Sequence, residues 1–408
     1  MKRILIQVAL AICLPSIVFA GEGQVPKGVK HLDHVFVIMM ENHGYVQILN
    51  NPSAPFTNQY AKSANLATNY FAIAHPSLTN YLEVVGGSNF GVLSDNDSNW
   101  HGSCTPNLST GVANTDNPPS GAICPISGWG TEAATPAFDS TNETQGPPPE
   151  VNIDGVHSFP AATDIVGKTI ADQLVAADRS WKSYQEDQPM TGANNVNYSD
   201  GFFSNLTPNV NQSDVVRLYA AKHNPFVYFE AVQEGHDPEL SLKQSVGFDG
   251  DNGLYADLRS GHVPNFAFIV PNQCNDQHGR GNAGPFCDYD PSDNGTQVGL
   301  NPALILRGDI TIQKLVTAIK SSRVWREGNN AIVVVWDEND YSLSPITNQV
   351  MLIVDTNYGT HKNQSSKFYT HYSLLKTIEG GFGLPCLNHA CDSKVSAMTD
   401  LFGAEESH

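Results

Sequence analysis

The sequence predicts an α/β fold with a mostly parallel central sheet, and three observations carry that prediction. Several short apolar runs are continuous rather than alternating, the pattern of strands covered on both faces. Helix-like stretches separate them, as crossovers between parallel strands require. Polar and ionisable residues follow directly on several runs, where open α/β sheets form their ligand crevice.

The first strand is expected over residues 35–40 (VFVIMM), which runs straight into Glu41-Asn42-His43-Gly44-Tyr45. Residues 168–177 carry apolar positions at Ile170, Leu174 and Val175 and read as a helix. Residues 226–229 and 266–270 read as the next buried strands, the second leading into Pro271-Asn272-Gln273-Cys274-Asn275-Asp276-Gln277-His278. A helix over 310–320 precedes a strand over 331–336, which is followed by Asp337-Glu338-Asn339-Asp340. A last strand is expected over 350–354, and all five runs read as parallel.

Residues 96–162 break this rhythm: they are rich in Asn, Ser, Thr, Gly and Pro, with Gly146-Pro147-Pro148-Pro149 among them. A long ordered insertion covering the site fits better than an interdomain linker, because long loops in compact domains are commonly functional. The expectation is one catalytic domain over residues 21–408. Residues 1–20 read as a cleavable signal peptide, since Lys2 and Arg3 precede an apolar run and Val18-Phe19-Ala20 supplies small residues at a cleavage site. Its presence predicts a secreted or periplasmic protein.

Of seven cysteines, Cys13 departs with the leader, and the remaining six suit an oxidising compartment. They fall into three couples, Cys104 with Cys124, Cys274 with Cys287 and Cys386 with Cys391, each bracketing a loop rich in turn residues. Neighbour pairing as disulfides is expected over thiolate zinc, because no Cys-x-x-Cys occurs. Asp and Glu number 41 against 22 Lys and Arg, a formal charge of −19. That balance argues against a nucleic-acid partner, which needs a basic surface to displace counterions. No segment after the leader is long and apolar enough to span a bilayer. An anionic substrate would need a local positive element to overcome this acidic field, and a bound metal would supply one.

Glu41 and Asn42, one step beyond a buried strand, offer a carboxylate and an amide oxygen to a hard cation. Alone, such a carboxylate is more commonly a helix cap. Asp337 and Glu338 repel one another after a second strand, and a cation between the two strand ends would compensate. Ser77, in Ala74-His75-Pro76-Ser77-Leu78-Thr79-Asn80-Tyr81-Leu82, sits where a helix starts. The bland role is an N-cap; the functional one is a hydroxyl facing unpaired N–H groups that favour an alkoxide or phosphate. Thr79 could serve equally. Among fourteen histidines, His75, His236, His278 and His371 lie near these motifs, and His278 follows a strand end. Gly-x-Ser-x-Gly is absent, which disfavours an ordinary serine hydrolase.

Glu-Asn-x-x-Tyr after the first strand, His-Pro-Ser-Leu-x-Asn-Tyr, Ser180-Trp181-Lys182-Ser183-Tyr184-Gln185-Glu186-Asp187, Trp336-Asp337-Glu338-Asn339 and His371-Tyr372-Ser373-Leu374-Leu375-Lys376-Thr377-Ile378-Glu379 together resemble the bacterial and fungal phosphoesterase family. That family includes secreted acid phosphatases and phospholipases C within the alkaline-phosphatase-like superfamily. The resemblance covers roughly residues 32–384 and implies a three-layer sandwich around a mostly parallel sheet, and the Cys104/Cys124 couple would staple the insertion. It implies metal ligation by Glu41, Asn42, Ser77, Asp337 and Glu338, with Ser77 as nucleophile in preference to Thr79. His278 and His236 are expected as proton-transferring or phosphate-binding groups, and His75, Asn80 and His371 as substrate contacts. Zinc, manganese, calcium or magnesium would each suit mixed oxygen ligands. The partner expected is a phosphate ester, small or lipidic. An acid phosphatase acting through a phosphoserine is preferred to a phospholipase C, and a non-catalytic secreted binding protein is the remote third reading.

Overall fold

The computed structural model describes residues 22–74, 77–90, 92, 165–188, 198–199, 218–278, 287, 301–339 and 348–404. Its strands are β1 (His34–Met40), β2 (Asn65–Phe71), β3 (Trp181–Gln185), β4 (Tyr198–Ser199), β5 (Tyr219–Ala220), β6 (Ser245–Val246), β7 (Phe266–Val270), β8 (Asn330–Trp336), β9 (Gln349–Thr356), β10 (Gln364–Ser365) and β11 (Tyr369–Thr370). Nine of them form one sheet in the order β10-β2-β9-β8-β1-β7-β3-β6, with β11 also on β2, while β4 and β5 pair separately.

Every residue of β7 and β8 is buried, as is β1 beyond His34. Each fully buried Val, Ile or Phe side chain there contributes roughly 1.5–3 kcal/mol relative to exposure. Both faces of the sheet are therefore covered. The helices fall into two packed groups, Pro55–Ser63 and Leu254–Ser260 against Pro302–Ser321, and Ile170–Ala176 and His371–Phe382 against Ser77–Gly86. The outcome is an α/β sandwich with a mostly parallel central sheet.

Two expectations are corrected. The run at 226–229 is a 3-10 helix, Pro225–Tyr228, and not a strand. Pro225 has no N–H for a ladder and a fixed φ suited to a helical first turn. The run is apolar because it packs on the helix Ser77–Gly86. The position beside β7 belongs instead to β3, parallel to it from Trp181↔Phe266 to Gln185↔Val270. β9 is antiparallel to both β8 and β2. Burial on two faces makes a strand apolar whichever way it runs, so its composition carries no direction.

Cys274–Cys287 and Cys386–Cys391 are disulfides, with Cα separations of 4.9 and 5.2 Å. The leader, the insertion with Cys104 and Cys124, and His75 lie outside the described residues.

Candidate active site

Register builds the site. β1 and β8 are parallel and in step, with Met40 opposite Trp336, so Glu41 and Asp337 emerge side by side at the carboxyl edge. The Asp337 amide donates to the Met40 carbonyl (3.0 Å), and the Glu41 amide donates to the Asp276 carbonyl (2.9 Å) from the loop after β7. Asn42 then turns through φ 79°, a left-handed conformation that Asn tolerates better than most residues. That turn aims its amide at Glu338, where Nδ2 donates to Oε1 over 3.0 Å.

The helix Ser77–Gly86 delivers the third component. Ser77 Oγ lies 3.2 Å from Glu41 Oε2 and 3.4 Å from Glu338 Oε1. One turn later Tyr81 donates its hydroxyl to Glu41 Oε1 (2.8 Å). Asn80 secures the approach to the helix: Oδ1 accepts the Ile73 and Ala74 amides, and Nδ2 donates to the Ala74 carbonyl and to Glu338 Oε2 (3.1 Å). Glu41, Ser77, Tyr81, Asp337 and Glu338 are all buried.

Burial dominates the electrostatics. It pushes the Asp337 carboxyl well above the usual carboxylate range, and the neighbouring charges of Glu41 and Glu338 push it further. The nearby Ser77 hydroxyl opposes this only weakly, and neither Asp337 oxygen accepts a hydrogen bond of good geometry among the described residues. Asn42 Oδ1 is buried and unpaired in the same sense. Three carboxylates in such surroundings do not all stay ionised unaided; a proton or a cation must offset them. The acids do not do this by forming a cage of their own, since among the described residues no group of three or more His, Cys, Asp or Glu is arranged to hold a metal.

The histidines divide. His371 is fully buried beneath the site, contacting the Asp337 carbonyl (2.7 Å) and the Tyr70 hydroxyl (2.8 Å). His278 follows Asp276, whose Oδ1 accepts its amide at 2.9 Å. His236 is not brought to the cluster: its side chain is 86% exposed and pairs with Glu234 at 3.0 Å.

The sequence matches the Phosphoesterase family over residues 45–285. The chain belongs to that family. An acid phosphatase of Aspergillus fumigatus is 23% identical over 330 residues, 80% of this chain and 50% of the fungal protein. The chain therefore spans about half the length of that relative. A phosphatidylinositol-3-phosphatase of Mycobacterium tuberculosis is 23% identical over 374 residues, 91% of this chain and 83% of the relative. Among solved structures, an alkaline phosphatase superfamily protein of Vibrio parahaemolyticus aligns with 92% of this chain and 74% of its own at 11% identity, with a TM-score of 0.43.

Two residues of this family member had no role in the sequence reading. Tyr81 lies four positions after Ser77, the spacing that puts two side chains on one helical face, and that spacing was its available signal. His223 sits with Nε2 3.0 Å from Glu41 Oε1. It precedes Asn224-Pro225, just before the run at 226–229 expected to be a strand, and nothing local marks it.

Proposed function

We propose that this protein is a metal-dependent phosphoric ester hydrolase, acting on phosphate monoesters as an acid phosphatase through a phosphoserine on Ser77. The convergence of Ser77 Oγ on Glu41 Oε2 and Glu338 Oε1 carries the proposal. One of these carboxylates would take the hydroxyl proton as Oγ forms its bond to phosphorus. The ester P–O bond breaks, and the alcohol leaves with a proton from His278. Water then adds to phosphorus, giving a proton to His278, while the P–Oγ bond breaks and Ser77 recovers its proton from the carboxyl, releasing phosphate.

The donor set fits a divalent cation because, among the described residues, Asp337 Oδ1 and Oδ2 and Asn42 Oδ1 are buried without a hydrogen bond of good geometry. The proposed ligands are Glu41, Asn42, Ser77, Asp337 and Glu338, and the set depends on the amide and hydroxyl because among the described residues the acids alone form no cage. A bound cation would supply positive charge against the three carboxylates and the incoming phosphate. Asn80 and His371 support this arrangement through their contacts with Glu338 and Asp337. The family relatives support the monoester class, and the name of the Mycobacterium relative adds a lipid-linked monoester to the substrates worth assaying.

The remaining proposals concern context. Residues 21–408 act as one catalytic domain, exported by the leader; the two disulfides suit that compartment. No helix among the described residues is long and apolar enough to cross a membrane.

The test is hydrolysis of a chromogenic phosphate monoester against phosphatidylcholine across pH, after chelation and single-metal add-back. Monoester turnover that chelation abolishes is expected, and Ser77→Ala should lower it at least about a thousandfold with the fold intact. Near-normal turnover by the variant would remove Ser77 from the reaction.

A further inference from the structure

Glu41 differs from a freely rotating ligand in that its two oxygens face different partners. Oε2 faces Ser77 at 3.2 Å. Oε1 accepts the Tyr81 hydroxyl at 2.8 Å, and His223 Nε2 lies 3.0 Å from that same oxygen, off the line of an ideal hydrogen bond. The phenol O–H is the donor in this contact, since a carboxylate oxygen accepts. A carboxylate oxygen has about two lone-pair sites. With the Tyr81 hydroxyl donating to Oε1 and the His223 ring nitrogen crowded against it, Oε2 is the oxygen turned to Ser77.

Both neighbours are themselves fixed. Tyr81 stacks on the His223 ring, centroids 5.2 Å apart and planes at 10°, and meets the edge of Phe268 at 6.1 Å. Helix periodicity couples it to Ser77, so one helix brings a hydroxyl to each oxygen of the same carboxylate. His223 is held from beneath by the end of β3: Gln185 Nε2 donates to its carbonyl at 3.2 Å. The adjacent Asn224 side chain accepts from Ser183 Oγ (2.9 Å) and donates to Ser245 Oγ (2.8 Å) and the Tyr219 hydroxyl (3.3 Å). Tyr81 and His223 are buried with Glu41.

We infer that Tyr81 and His223 are positioning residues that lock the Glu41 carboxylate, so that it offers a cation Oε2 alone. This rests on the proposed metal-dependent hydrolase reading. Groups that orient a ligand from behind commonly govern metal affinity by about 10- to 100-fold. Tyr81→Phe keeps the ring and its stacking while deleting the hydroxyl; His223→Asn probes the second contact independently, so either variant can decide the matter should the other not fold.

The experiment is calorimetric titration of the metal-stripped full-length protein with Mn²⁺, alongside melting of the metal-free protein. Wild type should bind, Glu41→Gln should abolish binding, and the two variants should bind about 10- to 100-fold more weakly. Their turnover should recover at saturating Mn²⁺, which a misfolded site would not do. If Glu41→Gln abolishes binding but Tyr81→Phe and His223→Asn keep wild-type affinity, the positioning role is overturned and the metal site stands. If wild type shows no binding that Glu41→Gln removes, the metal-dependent reading itself fails, and this inference with it.

Discussion

His371 donates from Nε2 to the main-chain carbonyl of Asp337 across 2.7 Å. A carbonyl only accepts, so Nε2 carries the proton, and Nδ1 is left to accept from the Tyr70 hydroxyl at 2.8 Å. The ring is therefore neutral and serves as a strut beneath the acidic cluster.

Burial lowers the His371 pKa from 6.5 to about 4, against a smaller opposing effect of the Asp337 carbonyl. In the unfolded chain the same ring takes a proton near 6.5. Between these values the unfolded state binds the extra proton, so stability falls as pH falls through that window. The expected loss from this group is roughly 3 kcal/mol by pH 4. Denaturant melts of wild type and His371→Gln at pH 7 and pH 4.5 should show a steeper acid loss in wild type. Equal slopes would mean that the ring titrates normally.

The strands that position the site were readable because β1, β7 and β8 are buried on both faces and apolar without interruption. Their polar sequels, Glu41-Asn42 and Asp337-Glu338, could be seen as strand-end groups before any contact was known. Register was not readable, and register is what sets Met40 against Trp336 and makes the two acidic pairs neighbours. His223 stayed hidden for a similar reason, since it meets Glu41 across the tertiary fold, whereas Tyr81 carried its helical spacing from Ser77 as a signal. His236 shows the converse, a histidine in a suggestive Gly-His-Asp-Pro setting that packing leaves at the surface.

Asp337→Asn should make the metal-free protein more stable. The substitution keeps the shape and removes one charge from three buried carboxylates, where burial and the charges of Glu41 and Glu338 already oppose ionisation. The same change should remove the rise in melting temperature that Mn²⁺ gives wild type, since stabilisation by a ligand follows its affinity. Thermal melts with chelator and with Mn²⁺ measure both. A variant that melts below wild type in chelator would show that the Asp337 charge is compensated within the protein.

Glu379 provides a pH test away from the site. Its Oε1 accepts the Leu387 amide at 2.9 Å, whereas Oε2 is buried without a hydrogen bond among the described residues. Burial raises its pKa well above the usual value of 4.5, and the Leu387 amide and Lys376 only partly oppose this. A raised carboxyl contributes stability that is full below about pH 4.5 and lost as pH rises through the folded value. Glu379→Gln stays neutral throughout. It should exceed wild type in stability at pH 8, with the difference closing toward pH 4.5. A constant difference at both pH values would assign the effect to packing.

Gly308 sets two physical effects against each other. It lies inside the helix Pro302–Ser321, where replacement by Ala should favour the helix by about 0.8–1.0 kcal/mol. A Cβ there would run into the Gln277 side chain and stand 2.9 Å from the Gln277 amide nitrogen and 3.1 Å from the Asn275 carbonyl oxygen. Two of these neighbours are backbone, so relief requires moving the loop, and overpacking of this kind costs about 1–3 kcal/mol. Gln277 itself adopts φ 85°, with its amide joined to Trp336 Nε1 at 2.9 Å and to the Ile305 carbonyl at 3.2 Å. The same loop presents the Asp276 carbonyl that receives the Glu41 amide. Displacing it should shift Glu41 away from Ser77. Gly308→Ala is therefore expected to lower both the melting temperature and monoester turnover, although the substitution favours the helix. A higher melting temperature with unchanged turnover would show that the loop yields freely, and would detach Gly308 from the geometry of Glu41.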